Sequence, residues 1–86
     1  MSKKSYKKPT KRGLHIVIVL NDNVNTFQHV RKCLQEICGH NYIQAIQCTN
    51  IIHGAGRCEV YTDSYDQCVE VYKELTDKGL AVSIVK

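Results

Sequence analysis

Leu14-His15-Ile16-Val17-Ile18-Val19-Leu20 runs directly into Asn21-Asp22-Asn23-Val24-Asn25-Thr26-Phe27. The first seven residues are β-branched and apolar on both faces apart from His15. That is the pattern of a central strand covered on both sides, or covered on one and partly shielded on the other. The stretch Asn21 to Asn25 is rich in side chains that bond their own backbone and reads as a loop. Asn25 with Gln28 three residues on has the form of a capping box, with Asn in place of Ser or Thr. Phe27, Val30, Leu34 and Ile37 then fall on one stripe at helical spacing, and Gly39 reads as a left-handed cap. The seam between strand and helix therefore carries the Asp22 carboxylate among asparagine amides, with Phe27 just behind them. Such a seam suits a small cationic group beside an apolar one and contains no obvious nucleophile.

Working outward, Asn41 with Gln44 opens a second helix whose apolar positions are Tyr42, Ala45, Ile46, Thr49 and Ile52, with His53 beside the stripe. Gly54-Ala55-Gly56 stops it. Arg57-Cys58-Glu59-Val60-Tyr61-Thr62 alternates as a strand does, with Cys58 and Val60 inward. Ser64 with Gln67 opens a third helix with Tyr65, Cys68, Val69, Tyr72 and Leu75 on one face. Gly79 closes it, and Leu80 to Val85 forms the last strand. The order is β-α-α-β-α-β. The layers are those of an α+β domain, a small three-stranded, at least partly antiparallel sheet packed on three helices. The strand order is not readable at this level.

The chain has 86 residues, room for one domain with a modest core. No run of about 18 apolar residues occurs, so no membrane span is expected. No apolar stretch precedes Leu14, so no secretory signal is expected. The net charge of +4 is unevenly placed. Lys3, Lys4, Lys7, Lys8, Lys11 and Arg12 stand in residues 1–12 with no acid, which gives +6; the other six basic and eight acidic residues give −2. Residues 1–12 thus read as a disordered basic tail and residues 13–86 as the folded domain. The tail suits a solubilising role, or a tether to nucleic acid, an acidic partner surface or another protein's channel. Five cysteines, Cys33, Cys38, Cys48, Cys58 and Cys68, make an odd count with no Cys-x-x-Cys pair. This excludes the usual disulfide framework and zinc spacing, and leaves small core residues in a reducing compartment.

Asp22, when ionised, only accepts hydrogen bonds; Asn21 offers an acceptor and donors; a neutral His53 offers one acceptor. Three acceptors in one place match the three donors of a primary ammonium, and a pocket walled by Phe27, Val30 and Ile52 matches a large apolar side chain. Together they would recognise the free N-terminus of a chain that begins with a bulky residue, provided the fold brings His53 to Asn21. Taken singly, Asn21 and Asp22 are also ordinary loop residues, and His53 near a helix end also suits the last carbonyls.

Val19-Leu20-Asn21-Asp22-Asn23, then Thr26-Phe27 and Val30, then Ile52-His53 with a Gly-rich turn, then Cys58-Glu59-Val60-Tyr61-Thr62 resembles the ClpS family, adaptors of the ATP-dependent Clp protease. The resemblance runs from about Leu14 to Val85. It implies a cytoplasmic adaptor of the N-degron pathway, not an enzyme. Such an adaptor binds chains whose first residue is Leu, Phe, Tyr or Trp and hands them to an AAA+ unfoldase of the ClpA or ClpC type. It also implies that Asn21, Asp22 and His53 hold the α-amino group and that Phe27, Val30, Thr49 and Ile52 line the side-chain pocket. No metal and no cofactor are expected, and the resemblance gives the Lys-rich tail a place in delivery. The chain departs from the family pattern at several positions. Asn23 replaces a frequent Asp, Asn25-Thr26 stands where Thr-Pro is common, and Phe27 and Thr49 stand where Met is usual. Ser64 and Val69 replace a charged pair that faces the unfoldase in some members, and the turn at Gly54-Ala55-Gly56 is shorter than in many.

Two other readings compete. A ribosome- or nucleic-acid-associated module would use the basic tail, and its architecture is similar to the C-terminal domain of the ribosomal stalk protein; the acidic body argues against it. A thiol enzyme would need a Cys–His pair. Cys48 and His53 are five apart, off one helical face, and Cys38-Gly39-His40 straddles a helix end.

Overall fold

The computed structural model describes residues 14–86; the basic segment 1–12 lies outside them. The elements are β1 (His15–Leu20), α1 (Phe27–Cys38), α2 (Tyr42–Ala55), β2 (Arg57–Asp63), α3 (Tyr65–Asp77) and β3 (Ala81–Val85). The sheet order is β2-β1-β3, and β1 pairs antiparallel with both neighbours. The most apolar strand therefore sits in the middle, where both of its edges are hydrogen-bonded. Val17 and Val19 face the helices and are essentially fully buried, while Ile18, on the opposite face by the pleat, is also buried.

The helix-facing core joins Val17 and Val19 to Val30, Cys33 and Leu34 of α1, Ala45 and Ile52 of α2, Val60 of β2, Cys68, Val71 and Leu75 of α3, and Leu80. Cys33 and Cys68 are core residues. Cys38, Cys48 and Cys58 are half-buried at its edge, and all five cysteines are free thiols. A bulge between Val17 and Ile18 in the β1–β2 register skips Val60, so Val60 and Tyr61 both pack against the core where strict alternation would send one outward.

The helix signals hold with three shifts. The α1 cap is Thr26, whose hydroxyl accepts from His29 N, in place of the expected Asn25. Both residues are good caps, and Asn25 is engaged elsewhere. Tyr42, expected inward, is exposed, with Arg31 stacked 5.3 Å from its ring centre. On α3 the buried stripe is Cys68, Val71 and Leu75, so Tyr65 and Tyr72 stand exposed at its margins. Gly39 and Gly56 end α1 and α2 in the left-handed conformation, at φ 75 and 100, which costs a side-chain-bearing residue and not Gly.

The α2 start is a complete capping box. Asn41 accepts from Gln44 N at 2.8 Å and its own N–H donates to the Gln44 side chain at 3.0 Å. Asn41→Ala removes one acceptor and leaves an orphan N–H, so a loss of about 1 kcal/mol is expected. This reads as a fall in Tm of about 5 °C in thermal denaturation followed by circular dichroism.

Candidate functional site

The loop after β1 is organised by the Asp22 carboxylate. Its Oδ1 accepts from Val24 N and Asn25 N, both at 3.0 Å, and from Asn25 Nδ2 at 3.1 Å; Oδ2 accepts from the same Nδ2 at 2.8 Å. Hydrogen bonds to the charged form favour it. The backbone donors of Asn25 and Val24 therefore hold the carboxyl below its ordinary value of 3.8, assisted by the Asn25 side chain and by nearby His53. Asp22 is ionised throughout the neutral range.

The Asn25 amide reaches further. Nδ2 also donates to the carbonyl of Gly79, 3.0 Å away and 54 residues on. One turn later, His29 Nε2 lies 2.8 Å from the adjacent carbonyl, Lys78 O. A carbonyl only accepts, so this ring nitrogen carries the proton. The start of α1 is thus clamped to two consecutive carbonyls of the α3–β3 turn, which places Leu80 beside the loop.

From the other side, Asn21 N donates to Gly56 O at 2.8 Å, continuing the β1–β2 pairing past Leu20 and Arg57. That bond brings the end of α2, and His53 with it, to the seam. His53 Nδ1 lies 3.0 Å from Thr49 O. The same argument makes Nδ1 the donor and leaves Nε2 as the acceptor of the neutral ring. Phe27 stacks obliquely on this imidazole, with ring centres 5.7 Å apart at 42°, within the range of favourable aromatic pairs.

Asn21, Asp22, Asn25 and His53 surround a narrow cleft with Val19, Leu20, Val30, Ile52 and Leu80. Five of the seven residues singled out from sequence, Asn21, Asp22, His53, Val30 and Ile52, thus meet in one cleft. The other two stand apart from its lining. Phe27 is half-buried against His53 at its margin. Thr49 is fully buried behind it, with its hydroxyl donating to Ala45 O at 2.6 Å. A hydroxyl can return its proton to the preceding turn, which lets a polar residue sit where an apolar one would be expected. Sequence reasoning missed Asn25 and Leu80. The Asp-x-x-Asn spacing gives a local signal for the first, whereas its bond to Gly79 leaves no trace in sequence.

The cleft brings together hydrogen-bond acceptors and an apolar wall, and its lining includes no thiol and no hydroxyl. Burial pushes the Cys38 and Cys58 thiols up to about 12 and raises those of Cys33 and Cys68, which makes them poor thiolates. His40 donates through Nε2 to Val60 O, and its Nδ1 is buried without a partner. The Cys–His contact that does exist, Cys33 with His29 at 3.7 Å, joins a core thiol to a ring already spent on a carbonyl. No group of three or more metal-ligating side chains converges among the described residues, and no described helix is long and apolar enough to cross a membrane.

Residues 10–83 match the family described as "ATP-dependent Clp protease adaptor protein ClpS". The chain belongs to the ClpS family. As a family member it is an adaptor of the Clp protease and not an enzyme. It is 38% identical to the ClpS adapter of Synechocystis sp. over 68 residues, covering 78% of this chain and 69% of the relative. To the ClpS adapter of Thermosynechococcus vestitus it is 37% identical over 68 residues, 78% of this chain and 72% of the relative. The fold superposes with a TM-score of 0.80 on Agrobacterium tumefaciens ClpS2, a structure described as bound to L-phenylalaninamide. The match spans 84% of this chain and 94% of that one at 22% identity.

Proposed function

We propose that this adaptor binds the free α-amino group and the bulky apolar first residue, Leu, Phe, Tyr or Trp, of N-degron substrates. It then delivers them to an AAA+ unfoldase of the ClpA or ClpC type in the cytoplasm. The observation that carries the reading is the convergence of an ionised carboxylate, Asp22, and the free acceptor nitrogen of His53 on one apolar-walled cleft. A free α-amino group is largely cationic at neutral pH, with a reference value of ~7.7–8. Its three N–H donors suit the Asp22 carboxylate, His53 Nε2 and the Asn21 side-chain oxygen. Val30, Ile52 and Leu80 supply the apolar wall for the side chain. L-phenylalaninamide, bound by the Agrobacterium relative, joins a free α-amino group to a benzyl side chain, which is the same pair of features. Phe27, stacked on His53 at the margin, is placed to select side-chain shape, and Thr49 backs the pocket from beneath. Residues 1–12 supply the segment that engages the unfoldase.

The test is fluorescence anisotropy with two labelled peptides that differ only in bearing a free or an acetylated N-terminal Leu. The free peptide is expected to bind and the acetylated one is not. Equal binding of both peptides would remove the reading.

A further inference from the structure

We infer that Asn25 is a positioning residue that aims the Asp22 carboxylate and locks the amine-binding loop to the wall of the side-chain pocket, so that the two halves of the site are recognised as one unit. The inference rests on the amine-binding reading above.

A carboxylate beside a cleft has two oxygens and free rotation about its last bond; what it offers to a cation depends on which lone pairs are already taken. Here Oδ1 is occupied by three donors and Oδ2 by one. Backbone donors from Val24 and Asn25 fix Oδ1 alone. The Asn25 side chain is the group that reaches both oxygens, at 3.1 and 2.8 Å, and so sets the rotation of the carboxylate plane and leaves the remaining capacity on Oδ2.

The chemistry of the amide explains why the residue is Asn. A primary amide nitrogen carries two protons. Nδ2 spends them in two directions, one on the carboxylate and one on Gly79 O at 3.0 Å. Ser or Thr has a single hydroxyl proton and serves one of the two acceptors; Asp has none. Gly79 precedes Leu80, which lines the cleft and is buried in the core. One nitrogen atom therefore connects the group that faces the ammonium to the turn that carries a pocket wall. This engagement also accounts for the helix cap falling to Thr26.

The experiment compares the full-length chain with its Asn25→Ala and Asn25→Asp variants. Two readouts are taken: binding of the free-Leu peptide across pH, and the pH titration of the Asp22 carboxyl carbon followed by nuclear magnetic resonance without peptide. Asn25→Ala is expected to bind roughly tenfold more weakly, the loss of one hydrogen bond to a charged group, and to titrate Asp22 at higher pH than wild type.

Asn25→Asp keeps the shape and replaces the donor by a second carboxylate beside the first. Two carboxylates so close share a proton, and the pair titrates upward. When that proton is bound, the new residue donates to Asp22 as the amide does. Asn25→Asp is therefore expected to bind more weakly than wild type at neutral pH and to titrate Asp22 as one of a coupled pair, at higher pH than wild type. A residue that only filled space would leave the Asp22 titration unmoved.

If wild type binds and both variants match it in affinity, pH profile and Asp22 titration, the inference is overturned. If wild type itself does not bind the free peptide, the amine-binding reading fails, and the peptide-free titration still decides whether Asn25 holds the carboxylate. An unshifted Asp22 in both variants overturns it there too.

Discussion

Asp22→Asn lowers affinity for a free-Leu peptide by roughly ten- to a hundredfold and collapses the difference between free and acetylated N-termini. A hydrogen bond to a charged group is worth ~1.5–3 kcal/mol, and the half-exposed setting of Asp22 favours the lower part of that range. The Asn variant is the sharper probe because its side-chain oxygen still accepts from Val24 N and Asn25 N, the two bonds that shape the loop. It removes the charge and keeps the two backbone bonds, while its amide nitrogen faces Asn25 Nδ2 where Oδ2 had accepted. Asp22→Ala removes both, and a larger loss is expected. Isothermal titration calorimetry on the two variants separates the charge from the loop. Wild-type affinity in Asp22→Asn would place the ammonium elsewhere.

Leu34→Ala has the largest effect on stability. Leu34 is fully buried in the helix-facing core. Its backbone carbonyl also receives the N–H of Gly39 and of His40, which close α1. Truncating a buried Leu costs ~2–5 kcal/mol through lost transfer energy and the cavity left behind. A domain of this size holds roughly 5–10 kcal/mol in all. A fall in Tm of about 10–20 °C is expected in calorimetry of the full chain. A shift of a few degrees would mean that the core closes over the gap.

Much of this architecture is written locally. Each helix announces its start within four residues, and the capping box at Asn41 and Gln44 and the Ser64–Gln67 bond form as the spacing predicts. The central position of β1 agrees with its two-faced apolar run. What the chain does not announce is tertiary competition. Asn25 and Thr26 are equivalent caps in sequence, and the bonds of the Asn25 amide to Asp22 and to a carbonyl 54 residues away decide between them. The inward face of α3 was blurred because Tyr65 and Tyr72 flank the true stripe, and a ring that is half apolar fits either margin. The meeting of His53 with Asn21 depends on the strand order, which three similar apolar runs leave open, and on the Asn21–Gly56 bond. For the cleft, the charged and polar members were legible by type. Leu80 was not, because nothing in a strand's first residues says which loop will lie against it.

The placement of β1 has a consequence for how the molecule comes into being. The first strand in sequence is the middle strand in space, and its partners are residues 57–63 and 81–85. Closing loops of that length is slow and rewards the chain only at the end. During synthesis the helices can form as they emerge, but the sheet cannot be completed until the final strand is released. The cleft shares that timetable, since Leu80 and the Gly79 carbonyl complete it. A fragment that ends before residue 79 lacks both, so the cleft is complete only once the last strand has joined the sheet.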